Sequence, residues 1–213
     1  MKRSLLLAAV VVTAWPAAVL AQTPPAKPDL AKAEAIVKQV CSACHGMDGN
    51  SPTPVNPKIA GMPAEYITLQ LSHFKAGIRV NPVMQGMAAP LSPDDMRLLG
   101  LYFSRQTPKP MAAKDASVLK AGQALYRGGD SAAGIPACAA CHSPDGSGIP
   151  KNYPRLAGQY PEYSYAQLMA FKTGGRGADE GEKDVNGRIM ATIAGKMTDA
   201  QMKAVTEYTS GLR

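Results

Sequence analysis

Cys41-Ser42-Ala43-Cys44-His45 and Cys138-Ala139-Ala140-Cys141-His142 are the two stretches whose reading decides the fold. C-x-x-C-H is the attachment pattern of a c-type haem. Two thiols one helical turn apart can add to the two vinyl groups of a porphyrin, and the histidine that follows lies beneath the ring with a nitrogen for the iron. The chain has four cysteines and the two motifs use all of them, which leaves none for a disulfide or a zinc site. A disulfide framework would not need a histidine after each pair.

The motifs sit inside a longer repeat. Cys41 to Gly77 and Cys138 to Gly174 align without a gap at an offset of 97, and 16 of the 37 pairs are identical. Among them are Asp48/Asp145, Pro57/Pro154, Gly61/Gly158, Tyr66/Tyr163, Gln70/Gln167, Phe74/Phe171 and Lys75/Lys172. This is internal duplication. Each copy can build its core around its own covalent haem, which a unit of roughly 80–100 residues needs because its core is otherwise small.

Around this frame the sequence reads as helices and turns. A helix is predicted from about Asp29 into the first motif, with Leu30, Ile36, Val37 and Val40 as its apolar face. A second fits Pro63 to Ala76, stopped by Gly77. A third fits Ser92 to about Gln106, opened by the capping signal Ser92-Pro93-Asp94-Asp95 and packed through Met96, Leu99 and Phe103. The second copy repeats the plan with a helix near Ala116–Tyr126 and a final one after Thr198-Asp199-Ala200-Gln201, packed through Met202, Val205 and Thr209. Thr107-Pro108-Lys109-Pro110 is the linker. The division expected is an N-terminal domain over 22–106, a linker over 107–114 and a C-terminal domain over 115–213.

Before these lies Met1-Lys2-Arg3-Ser4 and an apolar run from Leu5 to Leu20, followed by Ala21. Positive start, short apolar core and small residues read as a secretory signal peptide over 1–21, so export is expected. Net charge is +7, and loss of Lys2 and Arg3 makes it +5. The basic residues form no run and no aromatic-interleaved patch, which argues against nucleic acid.

A six-coordinate haem needs a second ligand, and methionine is the common choice in electron-transfer cytochromes. The expected source is a loop downstream of each motif. Met84 stands eight residues before the capping residue Ser92, and Met190 eight before Thr198. Met87 aligns with Ile193, which cannot bind iron. The repeat therefore selects His45 and Met84 for one iron and His142 and Met190 for the other. Met62 lies in the stretch expected to pass under the histidine side of the ring, and Met96 reads as core of the third helix. The stretch from Gly174 to Arg188 makes the second copy nine residues longer between Lys172 and Met190, and reads as a mobile, solvated loop. A docking role for it is the less favoured reading. His73 aligns with Ala170 and reads as a solvated or partly packed helix residue with no iron role. Tyr66/Tyr163 and Lys75/Lys172 suit either propionate contacts or ordinary packing.

Taken together, the tandem motifs, Pro57-Lys58-Ile59-Ala60-Gly61 and Pro154-Arg155-Leu156-Ala157-Gly158, the Gln-Leu-x-x-Phe-Lys-x-Gly helix ends, and Met84 and Met190 resemble the dihaem cytochrome c4 family over nearly the whole exported chain. The resemblance implies a mainly α fold: two tandem class I cytochrome c domains about a pseudo-twofold axis, holding two covalent haem c groups. It implies that Pro57 and Pro154 offer their carbonyls to the second nitrogen of the ligand histidines. It further implies a periplasmic electron carrier, often associated with the inner membrane, that takes electrons from a respiratory donor complex towards a terminal oxidase and is not an enzyme. The alternatives are the cytochrome subunit of a periplasmic dehydrogenase and a dihaem peroxidase. The second needs an open iron and distal polar groups, which the duplicated methionines disfavour.

Overall fold

The computed structural model describes residues 29–178 and 183–213. The expected signal peptide over 1–21 lies outside them. The described backbone is helical, with isolated β-bridges at Asp130–Ile135 and Ile149–Tyr153 and no strand among the described residues. In order come α1 (Ala31–Ile36), a π-helical turn (Val37–Cys41), α2 (Ser42–His45), α3 (Ala64–Lys75), α4 (Pro82–Ala88) and α5 (Pro93–Ser104). The second half has a 3-10 turn (Ala116–Val118), α6 (Leu119–Gly128), α7 (Ala139–His142), α8 (Pro161–Lys172), α9 (Val185–Lys196) and α10 (Asp199–Ser210). None of these is long and apolar enough to cross a membrane.

The two halves pack alike. In the first, α5 lies against α1 and α3, and α3 against α4; in the second, α10 lies against α6 and α8, and α8 against α9. The cores follow from sequence period. Met96, Leu99 and Phe103 recur at helical spacing and are buried with Ala33, Val37, Met62 and Ile67. Met202 and Val205 do the same in the second half, with Leu125, Tyr126, Phe171 and Met197. Both terminal helices start with reciprocal capping boxes, Ser92–Asp95 and Thr198–Gln201. Close approach of α6 to α10 requires Gly122, where a Cβ would lie 2.1 Å from the carbonyl oxygen of Ala204.

Three expectations change. The first predicted helix is interrupted by a π turn directly before the motif, which inserts an extra residue per turn and rotates Val40 out to 42% exposure. Pro63 is the residue capping α3, one position before its first turn. The presumed solvated loop is largely structured where it is described: Arg176, Gly177, Asp184 and Gly187 are buried, and Val185–Arg188 already belong to α9.

The connection over 107–114 is bound to both halves. Asn50 Nδ2 donates to the Thr107 carbonyl at 3.0 Å, and Lys109 N donates to Asn50 Oδ1 at 2.8 Å. On the other side Lys114 N and Asp115 N both donate to Glu207 Oε1.

Candidate haem sites

Each motif ends a helical segment, so the two thiols and the imidazole emerge within one turn of backbone. Cys41 closes the π turn and Cys44 and His45 lie on α2, while Cys138 caps α7 and Cys141 and His142 lie on it. His45 Nδ1 is 2.9 Å from the carbonyl oxygen of Pro57, and His142 Nδ1 is 2.9 Å from that of Pro154. A carbonyl only accepts, so Nδ1 carries the proton in both rings and Nε2 carries the lone pair. Burial holds both imidazoles below their ordinary pKa, against an opposing pull from the proline carbonyls. The neutral ring with a free Nε2 is the form that binds a metal.

The chemistry of the donor set decides whether haem c fits. All four cysteines are free thiols. Burial pushes Cys41 and Cys138 up to about 11, opposite to the depressed thiols of redox-active or zinc sites. Paired free thiols one turn apart, each pair followed by an oriented imidazole, match covalent haem attachment.

Met84 and Met190 sit on helices, not on loops. Met84 is in the first turn of α4, where its N–H donates to Oδ1 of the capping Asn81 at 2.9 Å. Met190 is in the second turn of α9, capped by Asp184, whose Oδ1 accepts from Gly187 N at 2.9 Å. Short sequence windows rich in Gly, Pro and Asn read as loops, and tertiary packing on α3 and α8 makes them helical. Met84 and Met190 are partly buried, whereas Met87 is 44% exposed.

Sequence reasoning missed the residues that join the halves. Arg79 follows α3 and Arg176 follows α8, at the same offset of 97 and two positions past the aligned block. Arg79 donates from Nη1 to Gln70 Oε1 at 2.9 Å, and from Nη2 to Tyr163 Oη at 3.0 Å and Gln167 Oε1 at 2.8 Å. Arg176 mirrors it, donating from Nη1 to Gln167 Oε1 at 2.8 Å, and from Nη2 to Tyr66 Oη at 3.1 Å and Gln70 Oε1 at 3.0 Å. Each guanidinium also lies over the phenylalanine of its own half, Phe74 at 4.6 Å and Phe171 at 4.5 Å. Extending the frame by two residues would have exposed the pair. Its crossed bonding has no sequence signal.

Tyr66 and Tyr163 accept from these arginines. Lys75 Nζ donates to the Leu91 carbonyl at 2.7 Å, and Lys172 Nζ likewise to Met197. His73 is buried, not solvated, because the second half covers it: Asp184 Oδ2 lies 3.9 Å from its Nδ1.

This paired architecture has known counterparts. Cytochrome c4 from Azotobacter vinelandii is 40% identical over 183 residues, spanning 81% of this chain and 84% of that protein. The chain belongs to the cytochrome c4 family. The crystal structure of reduced recombinant cytochrome c4 from Pseudomonas stutzeri superposes with a TM-score of 0.79 at 36% identity, covering 88% of this chain and all of that one. A family model described as cytochrome c matches residues 119–212, and one described as cytochrome c oxidase, cbb3-type, subunit III matches 28–102. A thiosulfate dehydrogenase electron acceptor from Thiomonas intermedia is 40% identical over 171 residues, spanning 79% of this chain and 76% of that protein. The protein is an electron-transfer cytochrome with haem c and iron, and its fold is two tandem class I cytochrome c domains.

Proposed function

We propose that this chain carries two haem c groups, one per domain, and relays electrons between periplasmic redox proteins. Cys41 and Cys44 hold the first and Cys138 and Cys141 the second. His45 with Met84, and His142 with Met190, are the axial pairs. The iron supplies a one-electron ferric/ferrous couple. The observation that carries this reading is the duplicated contact of His Nδ1 with a proline carbonyl at 2.9 Å, beside paired free thiols. Pro57 and Pro154 orient the imidazoles and raise their basicity. A thioether opposite histidine favours the ferrous state relative to a second histidine.

At the domain boundary, Arg79 and Arg176 are the cations we assign to the carboxylates of the bound groups. Arg176 is 9% exposed and its Nε is buried without a hydrogen-bond partner, so an anionic acceptor would complete it. The domain division follows the repeat, with 22–106 and 115–213 joined through 107–114. Residues 1–21 serve as the export signal.

Delivery towards a terminal oxidase is the first partner assignment, with peripheral inner-membrane association compatible with it. A dehydrogenase donor is a second reading, favoured by similarity to a protein described as a thiosulfate dehydrogenase electron acceptor. The test is a haem count on the exported protein, followed by mixing the reduced form with a terminal oxidase and, separately, the oxidised form with a thiosulfate-oxidising enzyme supplied with thiosulfate. Two haems per chain and rapid reduction or reoxidation by one partner are expected. One haem per chain would overturn the duplicated assignment.

A further inference from the structure

His73 occupies a position that electron transfer alone does not explain. The repeat places Ala170 at the same site in the second copy. His73 lies on α3 of the first half, is 4% exposed, and has its Nδ1 3.9 Å from Asp184 Oδ2. Asp184 belongs to the second half, is 7% exposed, and fixes the start of α9 through the Gly187 N–H. The cap is tight, since a Cβ on Gly187 would lie 2.1 Å from Asp184 Oδ2. Met190 follows on the next turn of that helix. In the first half the corresponding helix, α4, is capped by the neutral Asn81. An imidazole of one domain thus faces the carboxylate that anchors the methionine helix of the other.

Among the described residues, the charged and titratable groups around this pair come from both halves. Asp184 approaches from α9, with exposed Lys183 beside it. Arg79 donates its backbone N–H to the His73 carbonyl at 3.2 Å and brings its guanidinium into the interface. Arg176 enters from the other half, and Tyr66 and Tyr163 are held by the two guanidiniums. The carboxylate attracts an imidazolium and the guanidiniums repel it. Histidine is the side chain whose charge ordinarily changes near neutral pH.

We infer that His73 is a proton-responsive positioning residue for Met190, coupling pH to the potential of the second redox centre. The inference rests on Met190 being an iron ligand. Protonated His73 tightens the contact with Asp184 and so steadies the start of α9. When a redox partner delivers one electron and ferric iron becomes ferrous, His73 takes up part of a proton from solvent; no other bond forms or breaks. The added negative charge favours the imidazolium. By linkage, the potential of that centre is higher below the titration of His73 and falls as pH rises through it.

The test uses the exported, haem-loaded protein. Potentials are measured by spectroelectrochemistry between about pH 5 and 8 for the native chain, His73→Gln and Asp184→Asn, with Met84→His marking the other couple by lowering it. In the native protein the unmarked couple should fall with rising pH; His73→Gln should flatten that profile and Asp184→Asn should shrink it. An equal slope in His73→Gln, a slope confined to the marked couple, or no slope at all overturns the inference. If Met84→His moves neither couple, the ligand assignment itself fails. Should a variant fold poorly, an NMR titration of His73 in the native protein decides: its midpoint should be higher in the reduced than in the oxidised form, and equal midpoints overturn the proposal.

Discussion

Arg79 donates to Gln167 across the domain boundary at 2.8 Å, and the same Gln167 oxygen accepts from Arg176 at 2.8 Å. One amide carbonyl is therefore shared by two guanidiniums that come from different domains. Gln70 is shared in the same way on the other side of the pseudo-twofold axis. The cluster ties the two domains into one unit.

Arg79→Ala should strip Gln70, Tyr163 and Gln167 of a charged donor. Hydrogen bonds to charged groups contribute about 1.5–3 kcal/mol, and partners left dry add to the loss. A net destabilisation of roughly 2–4 kcal/mol is expected, read by denaturant unfolding, with separate transitions for the two domains replacing one. Arg79→Ala with Arg176→Ala should be markedly non-additive, because the two residues share both glutamines. Simple addition of the single effects would mean that the two halves of the cluster act independently.

Acid should weaken the first domain through Asp95. The Lys32 ammonium at 2.6 Å, with the Ser92 hydroxyl and N–H, holds this carboxyl at about 2, below its ordinary 3.8. A depressed folded pKa gives stability that is fully present above about 3.8 and is lost as pH falls towards 2. The matching position in the second domain is the neutral Gln201, which makes no such contribution. Asp95→Asn should flatten the dependence of the unfolding midpoint on pH between about 4 and 2. A curve as steep as that of the native protein would remove Asp95 from the account.

Met84→Ala and Met190→Ala should each lose half of the weak thioether-to-iron absorption at the red end of the spectrum. Each should also lower the potential of one centre, while Met87→Ala should leave both features intact. Retention of the full band in either single variant would reassign that ligand.

Gly122→Ala should separate α6 from α10. The added methyl meets the Ala204 carbonyl at 2.1 Å, and backbone cannot yield as a flexible side chain can. Overpacking of this kind costs about 1–3 kcal/mol, which thermal unfolding of the second domain would report. An unchanged midpoint would show that the helices can slide apart without loss.

Gln159→Met imports the residue found at the aligned position of the first copy, Met62. Gln159 accepts from Lys58 N at 3.0 Å and donates to Lys58 O at 2.8 Å, a two-point clamp across the interface. Removing it should cost about 1–3 kcal/mol and accelerate amide exchange at Lys58. Unaltered exchange there would mean that another contact protects this backbone.

What the sequence determined by itself is local or repeated. Cys41 to His45 needs only five consecutive residues, and its second copy at Cys138 to His142 gave a frame in which Met84 could be preferred to Met87. The capping signals at Ser92 and Thr198, and the faces through Met96–Phe103 and Met202–Val205, depend on spacing along one helix, which a sequence states directly. Tertiary structure alone decided what crosses between elements distant in the chain. The methionine segments look like loops because their helical propensity is weak, and they become helices by packing on α3 and α8. His73 reads as solvated or partly packed because the repeat has Ala170 in its place, and Arg176 reads as solvated because its own segment is Gly-rich and charged; both are buried because the opposite domain covers them. The crossed pairing of Arg79 and Arg176 needs both domains in place at once, since each guanidinium completes its bonding with a tyrosine and a glutamine of the other domain.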